Sequence, residues 1–182
     1  MGTEDTIRNA VRDWIKATAS GSALTDAQVI DGSVTSVRPP LPYIAVTLLV
    51  WDMPVGFDEF SRSESGANPT VAARGDRRAT VSVQGFGATT ADWIESAHRR
   101  LDLPTAEAIM AAAGLTLLPI GGSSQTPTVI DTGKEKRYLR EYEVYYSFTS
   151  DPETQTPTSS IVLTQTYQSE SGDHIDTITI YT

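Results

Sequence analysis

Apolar and polar residues alternate most regularly in the middle of the chain, between Ala79 and Phe86. One set of alternating positions holds small, apolar residues, namely Ala79, Val81, Val83 and Gly85. The other set is mostly polar and consists of Thr80, Ser82, Gln84 and Phe86. A period of two is typical of a strand with one dry face. Gly87 then permits a turn, and Thr89 with Asp92 has the spacing of a capping box at a helix start. The pattern therefore predicts a strand, a glycine turn and a helix as the central unit.

Apolar residues at intervals of three and four predict three helices. The first covers residues 5–19, the second follows Thr89, and the third begins near Pro104 and ends before Gly114. Their apolar stripes are Ile7, Ala10, Val11, Trp14 and Ile15, then Trp93, Ile94, Ala97 and Leu101, and finally Ala106, Ile109, Met110 and Ala113. Each helix is expected to bury its stripe against the rest of the fold.

Further strands are predicted where apolar residues run together or alternate. These strands cover residues 29–30, 43–53, 115–120 and 138–148. The run from Tyr43 to Met53 is the most apolar and is expected to be buried, and residues 54–60 are expected to turn at Gly56 and pair back on it. Residues 61–74 and 121–127 have no periodicity and are predicted to be loops.

The C-terminal region has a different pattern. Residues 149–159 are rich in Thr, Pro and acids and are predicted to be a linker, followed by two strands at 160–168 and 174–181. A lone two-stranded hairpin is only marginally stable in water, so this one is expected to pair with a sheet edge of its own chain or of a neighbour.

Together these elements predict an α+β fold. It has a mixed, mostly antiparallel sheet of about four to five strands packed by two to three helices, with a C-terminal β-hairpin extension. Two domains are expected: an α+β domain in residues 1–150, and a linker with a hairpin appendage in residues 151–182.

The composition of the chain excludes several classes of protein. The chain has 182 residues, no cysteine and a net charge of -9, and the segment from Asp151 to Thr182 contains five acids and no Lys or Arg. Such a surface repels nucleic acid, so a DNA reader is not expected, whereas a channel through which DNA slides is compatible with it. No apolar run approaches eighteen residues and the N-terminus lacks a signal pattern, so a protein that is neither membrane-spanning nor secreted is expected.

The sequence offers little chemistry. His98 and His174 have no second His or Cys at a ligand spacing, so no metal, cofactor or catalytic site is predicted. The segment Gly85–Thr90 does follow a strand and open a helix, as a dinucleotide loop would, but Thr90 stands at the third glycine position. A plain strand-to-helix turn is the main interpretation. The alternative is a small-ligand binding module or minor enzyme that uses this turn.

The order of elements and one block of residues resemble the neck and tail terminator proteins of tailed bacteriophages. The block runs from Gly75 to Gly87 and reads Gly-Asp-Arg-Arg-Ala-Thr-Val-Ser-Val-Gln-Gly-Phe-Gly, with Asp76 where the family has Gln. An N-terminal amphipathic helix, the segment Arg38-Pro39-Pro40-Leu41-Pro42-Tyr43-Ile44 and the segment Ala113-Gly114-Leu115 complete the pattern. The resemblance covers about residues 4–150.

The resemblance implies a structural virion protein and no enzyme. The subunit would form a ring, expected to be a hexamer, that caps the tail tube and joins it to the head-tail connector. Implied partners are further copies of the chain, the tail tube protein and the connector protein, with DNA passing through the lumen without specific binding and no membrane involved. The protein would lie in the neck or tail of the virion after assembly in the host cytoplasm.

A ring needs contacts between subunits. Six charged residues are candidates for ion pairs at such interfaces: Asp58, Glu59, Arg77, Arg78, Arg137 and Arg140. The alternative for each arginine is a solvated position at a strand end. The 61–74 segment and the last hairpin are candidates for edges that a neighbour completes.

Overall fold

The computed structural model describes residues 2–19, 23–33, 38–63, 70–130, 133–154, 161–169 and 172–180. Within them lie three helices, α1 (Thr3–Thr18), α2 (Thr90–Arg99) and α3 (Pro104–Ala112). The strands are β1 (Val29–Asp31), β2 (Tyr43–Ser63), β3 (Thr70–Phe86), β4 (Leu115–Ile130), β5 (Gly133–Thr149), β6 (Glu153–Thr154), β7 (Ile161–Ser169) and β8 (Gly172–Ile180).

Six strands form one sheet in the order β1-β2-β3-β5-β4, with β6 paired to β3 outside this path. β1 runs parallel to β2, and β4 runs antiparallel to β5. The predicted α+β class with a mixed, mostly antiparallel sheet is confirmed. The sixth strand arises because Glu153 and Thr154, within the predicted linker, pair with Val71 and Thr70.

The chain forms two compact units. Unit 1 contains residues 1–58 and 75–148, and unit 2 contains residues 59–74 and 149–182. In unit 2, β7 and β8 pair with each other as a two-stranded sheet, which confirms the predicted C-terminal hairpin. The proposed domain boundary near residue 150 remains a prediction.

The core of unit 1 lies between the helices and the sheet. α1 buries the predicted stripe, and its Trp14 meets the Tyr142 ring of β5 edge-on at 5.2 Å between ring centres. From β3, the predicted dry positions Ala79, Val81 and Val83 are fully buried. Burying an aliphatic side chain of this kind contributes roughly 1.5–3 kcal/mol, so the alternation of β3 and the stripe of α1 account for much of the core's stability.

α2 approaches β3 closely because residue 85 lacks a Cβ. A Cβ there would lie 2.5 Å from the Oγ1 atom of Thr90 and 3.1 Å from the Cδ1 atom of Ile94. Gly87 has a φ of 107°, which favours glycine, and its carbonyl accepts a hydrogen bond of 2.9 Å from the Thr90 hydroxyl. The predicted capping box is wrong, because Thr89 is in the helical conformation and makes no side-chain cap bond.

Two predicted loops are strands in their described parts, residues 61–63 and 70–74 of the first and residues 121–127 of the second. β2 bends near Gly56 but continues as one strand to Ser63, and β3 begins at Thr70, while residues 64–69 lie outside the described part. β4 likewise runs through residues 121–127, with a shift of pairing between Ile120 and Ser124. Polar and glycine-rich segments gave no periodic signal, yet the backbone pairs with an adjacent strand whatever its side chains are.

The apolar run at the start of β2 is also less buried than predicted. Its residues are buried only from Tyr43 to Val46, and Leu49, Val50 and Trp51 are between 44% and 49% exposed. β1 pairs with β2 only opposite Ile44–Val46, so beyond that point β2 is an edge strand among the described residues. An apolar run thus marks an exposed edge here as well as a core strand.

Candidate partner-binding surfaces

β2 bends sharply between Asp52 and Asp58. Both carboxylates reach one guanidinium, that of Arg77 on β3: Nε lies 3.3 Å from Asp52 Oδ1, and the two Nη atoms donate to Asp58 over 2.6 and 2.7 Å. Six steps of extended strand cover about 20 Å, which is too far for one guanidinium to bridge. Positive φ angles at Asp52 (58°) and Gly56 (84°) provide the bend. Residues 52–58 are called the β2 bulge below.

Arg77 holds the base of the β2 bulge. Its side chain is 10% exposed and its guanidinium lies 5.0 Å from the centre of the Phe148 ring. The hydrogen bonds from Arg77 lower the pKa of Asp58, and those same bonds raise the pKa of Arg77. A Cβ on Gly75 would lie 2.1 Å from Asp58 Oδ1 and 2.7 Å from Arg77 Nη1. The Gly-x-Arg spacing at residues 75–77 therefore leaves room for this ion pair.

The β2 bulge presents apolar side chains to solvent. Phe57 is 100% exposed and Val55 is 41% exposed. Val55 lines a shallow depression together with Asp76. Asp52, Asp58 and Asp76 against Arg77 give this region a formal charge of −2. Large apolar side chains held outward in this way are typical of protein interaction sites.

A second surface lies near the other end of β3, where the Gly87 turn leads into α2. A cavity of about 310 Å³ is lined there by Gly87, Ala88, Ala91, Gln125, Lys136, Arg137 and Tyr138. Among the described side chains, its wall carries two cations and no carboxylate. The Gly87 backbone N–H donates to the carbonyl of Lys136 over 3.3 Å, which ties the turn to β5.

Aromatic rings support the cationic side of this cavity. The rings of Tyr43 and Phe86 stack with centres 4.8 Å apart. Arg137 donates to the side-chain oxygen of Gln84 and lies 5.8 Å from the Phe86 ring, and Arg38 lies 5.5 Å from the same ring. This end of the sheet therefore combines cations with a preformed hollow, whereas the β2 bulge combines carboxylates with a projection.

A third group of charged residues lies inside unit 1, between α2 and β5. Glu95 accepts hydrogen bonds from the Tyr138 hydroxyl and from Arg140, the latter over 2.8 Å. Arg140 also lies 2.7 Å from His98 Nε2; because arginine only donates, this nitrogen accepts and the neutral ring carries its proton on Nδ1. The Tyr138 hydrogen bond lowers the pKa of Glu95, and burial lowers the pKa of His98. The α2 network, Glu95, His98, Tyr138 and Arg140, holds the helix on the sheet.

The six residues predicted at interfaces fall into separate places. Asp58 and Arg77 form the base of the β2 bulge, Arg137 borders the cavity, and Arg140 belongs to the α2 network. Arg78 contacts Glu143 at 3.2 Å, and Glu59 is exposed in unit 2. All four arginines have partners within their own chain, and contacts with a neighbouring subunit remain a prediction.

Several residues of these surfaces and ion pairs were not identified from the sequence. Asp52, Glu95 and Glu143 were not identified as partners of the arginines, and Phe57 was not identified as exposed. A signal existed for Arg77, which stands two residues before Ala79 and so shares the dry face of β3. A cation at such a position requires a carboxylate partner.

Among the residues that the structure describes, no group of three or more His, Asp or Glu side chains is arranged to hold a metal ion. No described helix is long and apolar enough to cross a membrane.

One protein family matches the chain. The family is described as phage neck terminator protein, and its model matches residues 5–178. No curated protein matches the chain. The resemblance drawn from the Gly75–Gly87 block is confirmed, and the match extends beyond residue 150 into the C-terminal hairpin.

Proposed function

This chain belongs to the phage neck terminator family, a family of structural proteins, and from that premise we propose that it forms a ring that caps the tail tube and joins it to the head-tail connector. The family assignment makes it a structural component of the phage neck. The ring, the hexameric number and the two joining contacts are the proposed part. So is assembly in the host cytoplasm.

The observation that carries the ring is the pair of open sheet edges. β2 is an edge strand beyond Val46 among the described residues, and β4 forms the opposite edge of the sheet. Pro54 on β2 and Pro119 on β4 fit edge positions, since proline lacks a backbone donor. Open edges accept strands from other chains, and two unlike edges on one subunit favour head-to-tail association, which gives a ring when the rotation between subunits closes.

The charge distribution supports a passage for DNA. A net charge of -9, with no cation after Arg140, disfavours tight binding of phosphates. The proposed partners are further copies of the chain, the tail tube protein and the connector protein. Residues 1–150 are proposed as the ring-forming domain, with residues 151–182 as the appendage.

The six candidate interface residues divide by exposure. Glu59, Arg78 and Arg137 have accessible side chains and are proposed to reach a neighbouring subunit or partner. Arg77 and Arg140 are only 8% exposed, so they are proposed to act by holding the surface from inside, with Asp58 as the partner of Arg77.

A second candidate function is binding of a small anionic ligand beside the Gly85–Thr90 turn. The cavity of about 310 Å³ with Lys136 and Arg137 in its wall favours it. Screening anionic metabolites by thermal shift tests this function: a ligand that raises the melting temperature of the wild type, and not that of the Ala88→Trp variant, would support it. No hit in the wild type would remove it.

The absolute mass of the purified protein tests the ring. We expect light scattering, over a range of concentration and salt, to reveal a closed species near six times the chain mass of 19.7 kDa. Negative-stain images should then show a central hole. A monomer at every concentration, which also stays monomeric when mixed with tail tubes, would overturn the proposal.

A further inference from the structure

We propose that the β2 bulge of one copy docks into the cavity beside α2 of the next copy. The inference rests on the proposed ring, because it supplies the contact that joins neighbouring subunits. Both surfaces belong to unit 1, and the occupant of the cavity is a second copy of this chain.

The two surfaces are complementary in shape and polarity. Phe57 projects fully into solvent, with Val55 beside it in the bulge. The cavity is a hollow of about 310 Å³ whose lining includes the small residues Gly87, Ala88 and Ala91. An exposed aromatic side chain that enters a neighbour's pocket buries about 150–250 Å² and is the usual anchor of a protein interface.

The charges of the two surfaces are opposite. In the region of the bulge, the three carboxylates of Asp52, Asp58 and Asp76 and the guanidinium of Arg77 sum to a formal charge of −2. Lys136 and Arg137 in the cavity wall carry two positive charges, and no carboxylate lines the cavity among the residues whose side chains the structure describes. Opposite charges at the rim of an interface select the orientation in which two proteins bind and accelerate their association. Two surfaces of like charge would repel each other.

The two surfaces also lie on the two open edges of the sheet. The bulge belongs to β2, while Gln125 of the cavity belongs to β4 on the opposite edge. A contact between β2 of one copy and β4 of the next would therefore bring bulge and cavity together. Because the contact joins unlike surfaces, the copy at each end of a growing chain still has one surface free, and the chain ends as a ring when the rotation between copies closes.

The bulge is preorganised for docking. The bidentate pair between Arg77 and Asp58 fixes its base, and the bare Gly75 leaves room for that pair. On the other side, the bond from Thr90 to the Gly87 carbonyl fixes the turn that borders the cavity. Surfaces that are already ordered lose less conformational entropy on binding.

The absence of cysteine from the chain allows a clean cross-linking test. A variant with both Phe57→Cys and Ala88→Cys, oxidised with copper-phenanthroline, should give a ladder of covalent multimers that ends at the ring size on a non-reducing denaturing gel. Each single variant should stay monomeric on the gel. An equimolar mixture of the two single variants should give covalent dimers and nothing larger.

A matched control carries Phe57→Cys with Glu107→Cys, a residue at an exposed position on α3 that lies outside the cavity and away from both sheet edges. This pair should give no ladder. If the wild type forms rings by mass and the Phe57/Ala88 pair cross-links no better than the control, the docking is wrong and the ring stands. If the wild type forms no ring, alone or on tail tubes, the proposed function fails with it.

Discussion

Arg77 and Arg140 are alike in burial and in having a carboxylate partner. Each is 8% exposed, and each pairs with a carboxylate, Asp58 at 2.6 Å and Glu95 at 2.8 Å. Their surroundings differ: Arg140 lies beside the buried ring of Tyr142, whereas Arg77 supports the fully exposed Phe57. Burial and ion pairing therefore do not separate a structural arginine from one that shapes a docking surface. What separates them is the exposure of the apolar side chains that the pair holds in place.

The largest expected effect comes from Arg140→Ala. The change leaves Glu95 without its cation and exposes the α2 network, so the free energy of unfolding should fall by roughly 3 kcal/mol, the low end for a broken buried pair because Glu95 is partly exposed. Urea unfolding followed by circular dichroism measures this. At temperatures where the variant is folded, ring formation should remain. Loss of ring formation with unchanged stability would reverse the roles of the two arginines.

Arg77→Ala should lower stability as well, because its ion pair is also buried, but unlike Arg140→Ala it should also weaken association. The bulge loses its anchor and Phe57 is no longer held outward, so we expect association to weaken at least about tenfold, which corresponds to about 1.4 kcal/mol at the interface. Sedimentation velocity across a concentration series measures it.

Arg78→Ala is the comparison for Arg77→Ala: as an exposed residue proposed to reach a neighbouring subunit, Arg78 should weaken association less than Arg77 when it is replaced. Arg78 is the next residue, with a side chain 42% exposed and paired to Glu143, so its stability effect should stay below about 1 kcal/mol. If the two variants weaken association equally, the bulge has no special role.

The elements of unit 1 were mostly predictable from the sequence. The stripe of α1, the dry face of β3 and the Gly114 end of α3 follow from periodicity and from glycine at positive φ. The β2 bulge was not predictable, because the pairing of Asp52 and Asp58 with one guanidinium depends on contacts between strands. The exposure of Leu49 to Trp51 depends on which elements pack on the faces of β2 beyond Val46, which no local pattern records.

Charge reversal across the proposed contact should have a smaller effect. Lys136→Glu and Asp76→Lys, both at exposed positions, should each weaken association several-fold, and the double variant should recover most of the loss because the pair is restored in reversed order. Raising the salt concentration should reduce all three differences. Glu107→Lys, at an exposed position on α3 outside both surfaces, is the control and should leave association unchanged. If the double variant instead shows the sum of the two single losses in association, Lys136 and Asp76 do not contact each other across the interface.

The smallest effect, and the one that returns to the α2 network, is a pH dependence of stability. Burial and the neighbouring Arg140 lower the pKa of His98 in the folded chain, against the opposing influence of Glu95 and Asp102. Below the unfolded pKa of about 6.5 the unfolded chain therefore takes up a proton before the folded chain does. The free energy of unfolding should fall as pH drops from about 6.5 towards the folded pKa of His98. Above about pH 6.5 the contribution of His98 to the free energy of unfolding should be constant. His98→Gln keeps an acceptor for Arg140 and removes the titration, so urea unfolding between about pH 5 and 7 should show a shallower slope in the variant. Equal slopes in both proteins would mean that His98 does not titrate differently on folding, and that the network is held by Glu95 and Arg140 alone.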